Sequence, residues 1–361
     1  MKKRTIKIGK ILFLASLFLI VCLELLVVFS NGKRLNVTSN CDGFSQEECW
    51  NRQLVQTVRG QGVAQAFRLF DTLNKEHKEF ARDCHSYAHT LGREAYTIYQ
   101  KENLKIPFSE QMSLCGYGFF HGLLEIVTAK NETDVIRRFC NSYKEDGKKG
   151  RNYYECFHGV GHGAVARHGD DSSSIIDQAL SECKGITTTY REMEYCARGV
   201  FMRAETEPLA QEDLVKDAKD KLGLLAYCEG QNGDYAKWCY QAQGRFLYVR
   251  ANYNFANAAA HIENATDVSL KKIAVYEFAI SVSKGSPTRD LGKEVVACQA
   301  LQKEIQQECI NGLVAGVLLY SQTPQDIAKA TVICSDSSLD RLYKNRCEEE
   351  ITNALTYFTQ S

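Results

Sequence analysis

Fourteen cysteines that fall into seven successive pairs constrain this chain more than any other feature of it. The pairs stand at 41/49, 84/115, 140/156, 183/196, 228/239, 298/309 and 334/347, and a fifteenth cysteine, Cys22, sits apart in an apolar amino-terminal segment. No C-x-x-C occurs, which disfavours zinc knuckles, thioredoxin-type redox motifs and c-type haem attachment. In five of the pairs a polar gap of 10 to 15 residues, such as NSYKEDGKKGRNYYE between Cys140 and Cys156, is flanked by helical patterns. This is the signature of a helical hairpin in which one cysteine closes the first helix and the next opens the second. Antiparallel helices joined this way can bring two Cα atoms within about 6 Å, as a disulfide requires. Each such loop would stabilise its hairpin by about 3 kcal/mol in the chain-entropy account. The expected bridges are Cys41–Cys49, Cys84–Cys115, Cys140–Cys156, Cys183–Cys196, Cys228–Cys239, Cys298–Cys309 and Cys334–Cys347. Cys84–Cys115 spans an insert that contains Pro107.

The second cysteines recur in steps of 41, 40, 43, 70 and 38 residues, the long step being two periods. Its middle, AAHIENATDVSLKKIAVYEFAISVS, reads as helix, turn, helix and lacks both cysteines together. Joint loss is what pairing within a hairpin requires. A period near 40 with two helices per unit predicts an all-α fold of helical-hairpin repeats, either an α-solenoid or an α/α toroid. Only four prolines in 361 residues suit long helices, and 44% hydrophobic residues exclude global disorder. Equal numbers of basic and acidic residues, 44 of each, argue against a nucleic-acid binder that works by bulk charge.

Residues 1–10 form a basic tail with Lys2, Lys3, Arg4, Lys7 and Lys10, and residues 11–29 are apolar apart from Glu24. Nineteen apolar residues span about 28 Å as a helix, close to the hydrocarbon thickness of a bilayer. The charge order predicts a signal-anchor at 11–30 that leaves the amino terminus cytoplasmic, with a cleaved signal peptide as the rival reading. Either way the rest is exported: a linker at 31–60 with a small disulfide loop, then a helical-repeat domain at 61–361. The expected protein is therefore a single-pass membrane protein with an extracytoplasmic repeat domain, an oxidising setting that suits its cysteines.

The helices that follow the second cysteines carry a stripe of ligand-type residues. Two, six and ten positions after the cysteine stand Tyr117, His121 and Glu125, then His158, His162 and Ala166. With one residue of offset the Cys84 helix supplies His85, His89 and Arg93. Later helices continue the stripe with Arg198 and Met202, Gln241 and Arg245, then Asn311 and Ala315. Five of the chain's eight histidines lie on it, spaced i, i+4, so that two side chains of one helix can reach one metal ion. The repeated glycines beside the stripe, such as Gly159 and Gly163, are explained by close helix packing alone. A lone helical histidine is usually a packing residue, but five together are expensive to bury without partners. His168 reads as a surface turn residue and His77 as exposed.

The predicted metal ligands are His85, His89, His121, Glu125, His158 and His162. Imidazole and carboxylate donors suit Zn, Fe, Cu or Mn and disfavour Ca or Mg. Glu125 is also the candidate general base, with Tyr117 and Arg93 beside it as candidate catalytic groups. Arg198, Gln241 and Arg245 would line a site for an anionic or carbonyl-bearing small molecule. These residues predict a metal-dependent hydrolase or oxidoreductase. The alternatives are a disulfide-stapled scaffold that binds a protein or peptide in its groove, and a metal-binding or delivery protein.

Overall fold

The computed structural model describes residues 43–100, 114–144, 147–168, 175–206, 224–251, 253–285, 291–321 and 324–335, with 339, 341, 344–345, 347–349 and 351–352. The chain divides into two compact units, residues 1–49 and 50–361. In the first, the described residues hold the start of α1 (Gln46–Gln61), where Ser45 and Glu48 cap each other: the Ser45 amide and hydroxyl donate to Glu48 Oε2, both at 3.0 Å. Cys49 is disulfide-bonded, and its predicted partner Cys41 lies outside the described residues.

The second unit is all-helical among the described residues. After α2 (Val63–Glu76) and α3 (Lys78–Arg82), long helices alternate with short ones. The long helices are α4 (Cys84–Tyr99), α5 (Leu114–Lys130), α7 (Arg151–His168), α9 (Tyr190–Thr206), α11 (Asp234–Arg250), α13 (Val268–Gly285) and α15 (Gln306–Ser321). Each packs on the next in that order. Between them run α6 (Thr133–Asn141), α8 (Ile175–Ile186), α10 (Leu224–Glu229), α12 (Phe255–Glu263) and α14 (Gly292–Gln299), with α16 (Pro324–Cys334) after α15. The short helices bury one stripe each. In α6 it is Ile136, Phe139 and Cys140, at the i, i+3, i+4 spacing of an amphipathic helix. The long helices bury broader faces, and α7 is buried without a break from Cys156 to Val165.

Six of the seven predicted disulfides join consecutive cysteines: Cys84–Cys115, Cys140–Cys156, Cys183–Cys196, Cys228–Cys239, Cys298–Cys309 and Cys334–Cys347. Their Cα atoms lie 5.4 to 5.8 Å apart, and they point to an oxidising compartment. The membrane placement expected from the sequence is corrected. Its span at 11–30 lies outside the described residues, and among the described residues no helix is long and apolar enough to cross a membrane.

The long helices run parallel. Gly118 of α5 lies against the His85 carbonyl of α4, and Gly122 one turn on lies against that of His89. A Cβ on Gly92 of α4 would stand 1.9 Å from the Phe119 carbonyl oxygen of α5, and the approach of α7 to α9 is as close and reciprocal. A Cβ on Gly161 would stand 2.0 Å from the Cys196 carbonyl oxygen, and one on Gly199 would stand 2.0 Å from that of His158. Farther along the chain, α15 touches α5. The Tyr253 hydroxyl donates to Asp83 Oδ1 at 3.0 Å, with the Arg82 guanidinium 4.2 Å above its ring.

One departure from the predicted helices falls at Cys115. The start of α5 is not regular: Cys115, Gly116 and Tyr117 all have left-handed backbone, with φ of 53°, 67° and 66°. Such a conformation strains the two non-glycine residues. It turns the Cys115 carbonyl toward the His85 ring, 2.6 Å from Nδ1. α9 begins conventionally, with Thr189 and Glu192 in a capping box. Glu192 is buried and also accepts from Lys149, Tyr153 and Thr188, each at 2.7 Å. Burial alone would raise its carboxyl pKa, but these hydrogen bonds hold it at about 2.

Two outcomes follow for stability. Gly161→Ala should destabilise the protein by about 1–3 kcal/mol or more in denaturant unfolding, because the facing atom is backbone and cannot rotate away. It does so although alanine favours an isolated helix by about 1 kcal/mol. Glu192→Ala should cost about 2 kcal/mol at neutral pH. Because the folded pKa of Glu192 is depressed, that difference is present above the ordinary value of 4.5 and fades as the pH falls toward about 2. Unfolding curves of both proteins across that range read it directly.

Candidate metal centre

Because the long helices are parallel and in close register, residues at matching positions of neighbouring helices meet. The five stripe histidines come together from α4, α5 and α7. Adjacent rings lie with centroids 4.7 Å apart for His85 and His89, 4.5 Å for His121 and His158, 5.0 Å for His89 and His162, and 5.1 Å for His158 and His162. Two groups form with ligand atoms mutually within 4.8 Å: His85, His89 and His121, then His121, His158 and His162. His121 belongs to both. These clusters could hold a metal ion.

The hydrogen bonding is incomplete in a specific way. His85 is engaged by the Cys115 carbonyl, and its Nε2 lies 3.1 Å from His89 Nε2. His121 Nε2 lies 3.0 Å from Glu155 Oε2, while its Nδ1 is buried without a partner. His162, 1% exposed, has no hydrogen-bond partner at either ring nitrogen. Burial, then the neighbouring imidazoles, and then nearby arginines lower the pKa of His89, His158 and His162 well below the usual histidine value. These rings are therefore neutral at neutral pH, the form in which a nitrogen lone pair is available to an ion.

Glu125 lies outside both groups. Its carboxylate is buried between Arg93 Nη1 at 3.4 Å and Arg203 Nη2 at 3.1 Å, with His89 Nδ1 at 3.8 Å. Arg93, the third residue of its stripe, is thus placed on this carboxylate. Tyr117 is buried, donates to Asn152 Oδ1 at 3.0 Å and stacks beside His121. Arg198 and Arg245 both reach Glu277 of α13, at 3.6 and 2.5 Å. They also line a pocket that reaches His85, His121 and His158. Gln241 is not among the residues that line it.

Gly116, Arg151, Glu155, Tyr195 and Met202 also line the pocket, and the sequence assigned none of them to the site, although Met202 stood on the stripe. Burial would raise the Glu155 pKa, but the His121 hydrogen bond and the neighbouring Arg151 and Arg198 guanidiniums hold it at about 2. A carboxylate on the far side of an imidazole fixes its tautomer and orientation, as outer partners of metal-bound histidines do. Glu155, His158 and His162 follow i, i+3, i+7, so one helix face contains all three. That spacing is the signal that could have found Glu155. Met202 is on the stripe, and its Sδ lies 3.4 Å from His158 Nε2.

No family model, curated protein or solved structure matches this chain, so the site is read from its own chemistry.

The placement of Glu125 gives a discriminating substitution. Glu125→Gln leaves the Arg203 guanidinium, 12% exposed, without its counter-charge, and the expected loss of stability is about 3–5 kcal/mol. Metal content per folded molecule, measured by plasma emission, should be unchanged, whereas replacing a ligand would lower it.

Proposed function

We propose that the five-histidine cluster is a transition-metal centre for Zn, Fe, Cu or Mn. In this reading the protein is a metal-dependent hydrolase or oxidoreductase acting on a small anionic or carbonyl-bearing molecule. The observation that carries the proposal is His162: an imidazole 1% exposed, both nitrogens without a hydrogen bond, ringed by His89, His121 and His158. Leaving a buried polar atom unsatisfied costs about 1–3 kcal/mol, and here His121 Nδ1 adds a third such atom. An ion at the His121–His158–His162 triad would engage a His162 nitrogen, and an ion at either triad could take His121 Nδ1. Five imidazole donors with no thiolate favour borderline transition metals over hard ions.

The pocket supports the enzymatic reading over storage or delivery. It gives access to the cluster from one side, between Arg151, Arg198 and Arg245. Three guanidiniums beside a cation site would attract and orient a carboxylate or other oxyanion. A bound ion supplies Lewis-acid character there. Glu155 would hold His121 in place, and the arginines would fix the substrate. We also read the helical hairpins as a curved α/α array, an α-solenoid or α/α toroid, with the cluster on its inner face. The contact of α15 with α5 and the Tyr253–Asp83 hydrogen bond support strong curvature.

The test is metal analysis of untagged protein. The expected result is roughly one or two equivalents of a transition metal, lost in His121→Ala, because His121 belongs to both triads. His162→Ala should empty one triad and leave the other. Folded wild-type protein that takes up no transition metal overturns the proposal, and the buried histidines then serve packing alone.

A further inference from the structure

Aligned by their second cysteines, successive long helices place His121, His162 and Met202 six residues after Cys115, Cys156 and Cys196. His89 of α4 holds the corresponding place at the one-residue offset. Four consecutive helices thus present imidazole, imidazole, imidazole and thioether along one row. Met202 is 5% exposed, lines the pocket, and points its Sδ at His158 Nε2 from 3.4 Å. His158 in turn belongs to the triad with His121 and the unpartnered His162. A leucine would fill the same space without setting a soft donor atom against the triad.

We propose that the His121–His158–His162 triad is a copper site and that Met202 is its fourth, soft ligand, selecting Cu(I) over Zn(II). This rests on the metal reading above and narrows it. A thioether is an uncharged, polarisable donor that adds little to the binding of Zn or Mn but matches Cu(I). The described cysteines are held in disulfides, so Met202 is the soft donor the pocket offers. The Met202 side chain approaches from α9, the helix next to α7, so the site is closed from a different element than the one that carries His158 and His162. The close Gly161–Gly199 contact sets that approach.

The experiment uses the full chain and two probes, Cu(I) in competition with a chromophoric chelator and Zn(II) in competition with a fluorescent one. X-ray absorption of the Cu(I)-loaded protein is recorded in parallel. Wild type should bind Cu(I) more tightly than Zn(II), and its absorption should contain a copper–sulfur contribution. Met202→Leu, which conserves volume, should lose Cu(I) affinity by at least the roughly tenfold that removing an orienting partner costs. It should lose the sulfur contribution and keep its Zn(II) affinity. Wild-type protein that binds metal with no sulfur contribution overturns the copper proposal and leaves the metal reading standing. So does a Met202→Leu variant with unchanged Cu(I) affinity. Wild-type protein that binds neither probe overturns the copper proposal, and overturns the metal reading too when Fe(II) and Mn(II) also fail to bind. The absorption measurement on wild type decides the matter even if the variant fails to fold.

Discussion

Contact between helix backbones, permitted by glycine, is the constraint on which the site depends. Imidazole rings reach only a few ångströms from their helix, so three parallel helices share a cluster only when their axes lie unusually close. Gly92, Gly118 and Gly122 between α4 and α5, and Gly159 and Gly163 between α5 and α7, provide that closeness. Each of these glycines forfeits about 1 kcal/mol of helix propensity against alanine. The chain tolerates that cost because the helices so joined bury their contact faces, α7 without a break from Cys156 to Val165. The glycines that packing alone explains and the histidines that packing does not explain are therefore two halves of one arrangement.

Two buried carboxylates tie helices that are not neighbours in the series. Glu125 of α5 holds Arg203 of α9, across α7, and Glu277 of α13 holds Arg198 of α9, across α11. Of the two, Glu125 approaches the histidine cluster, 3.8 Å from His89 Nδ1, while Glu155 meets it at His121. Paired buried charges seldom add net stability. Their contribution here is positional.

Much of the architecture was legible because disulfide geometry leaves little freedom. A gap of ten to fifteen polar residues between cysteines admits a hairpin and little else, and five of those bridges are present. The histidine row was legible for a similar reason: a period near forty converts spacing into adjacency. The role of Glu125 was not, because its partner Arg203 lies two long helices away and pairing at that range leaves no local trace. Glu155 was hidden among many glutamates, although its i, i+3, i+7 relation to His158 and His162 was available. The left-handed start of α5 escaped notice because Cys115 and Tyr117 are poor candidates for positive φ, and the residues from 101 to 113, with the insert's Pro107, are not described. The apolar segment at 11–30 is likewise outside what the structure describes.

The connectivity of the bridges has a consequence for biogenesis. Every described disulfide joins a cysteine to the next one along the chain, at separations of 11 to 31 residues. A polypeptide oxidised as it emerges from one end would find, at each new thiol, only a single unpaired predecessor. Vectorial oxidation then yields the native pattern by proximity alone, and slow thiol–disulfide reshuffling is needed only when release outruns oxidation.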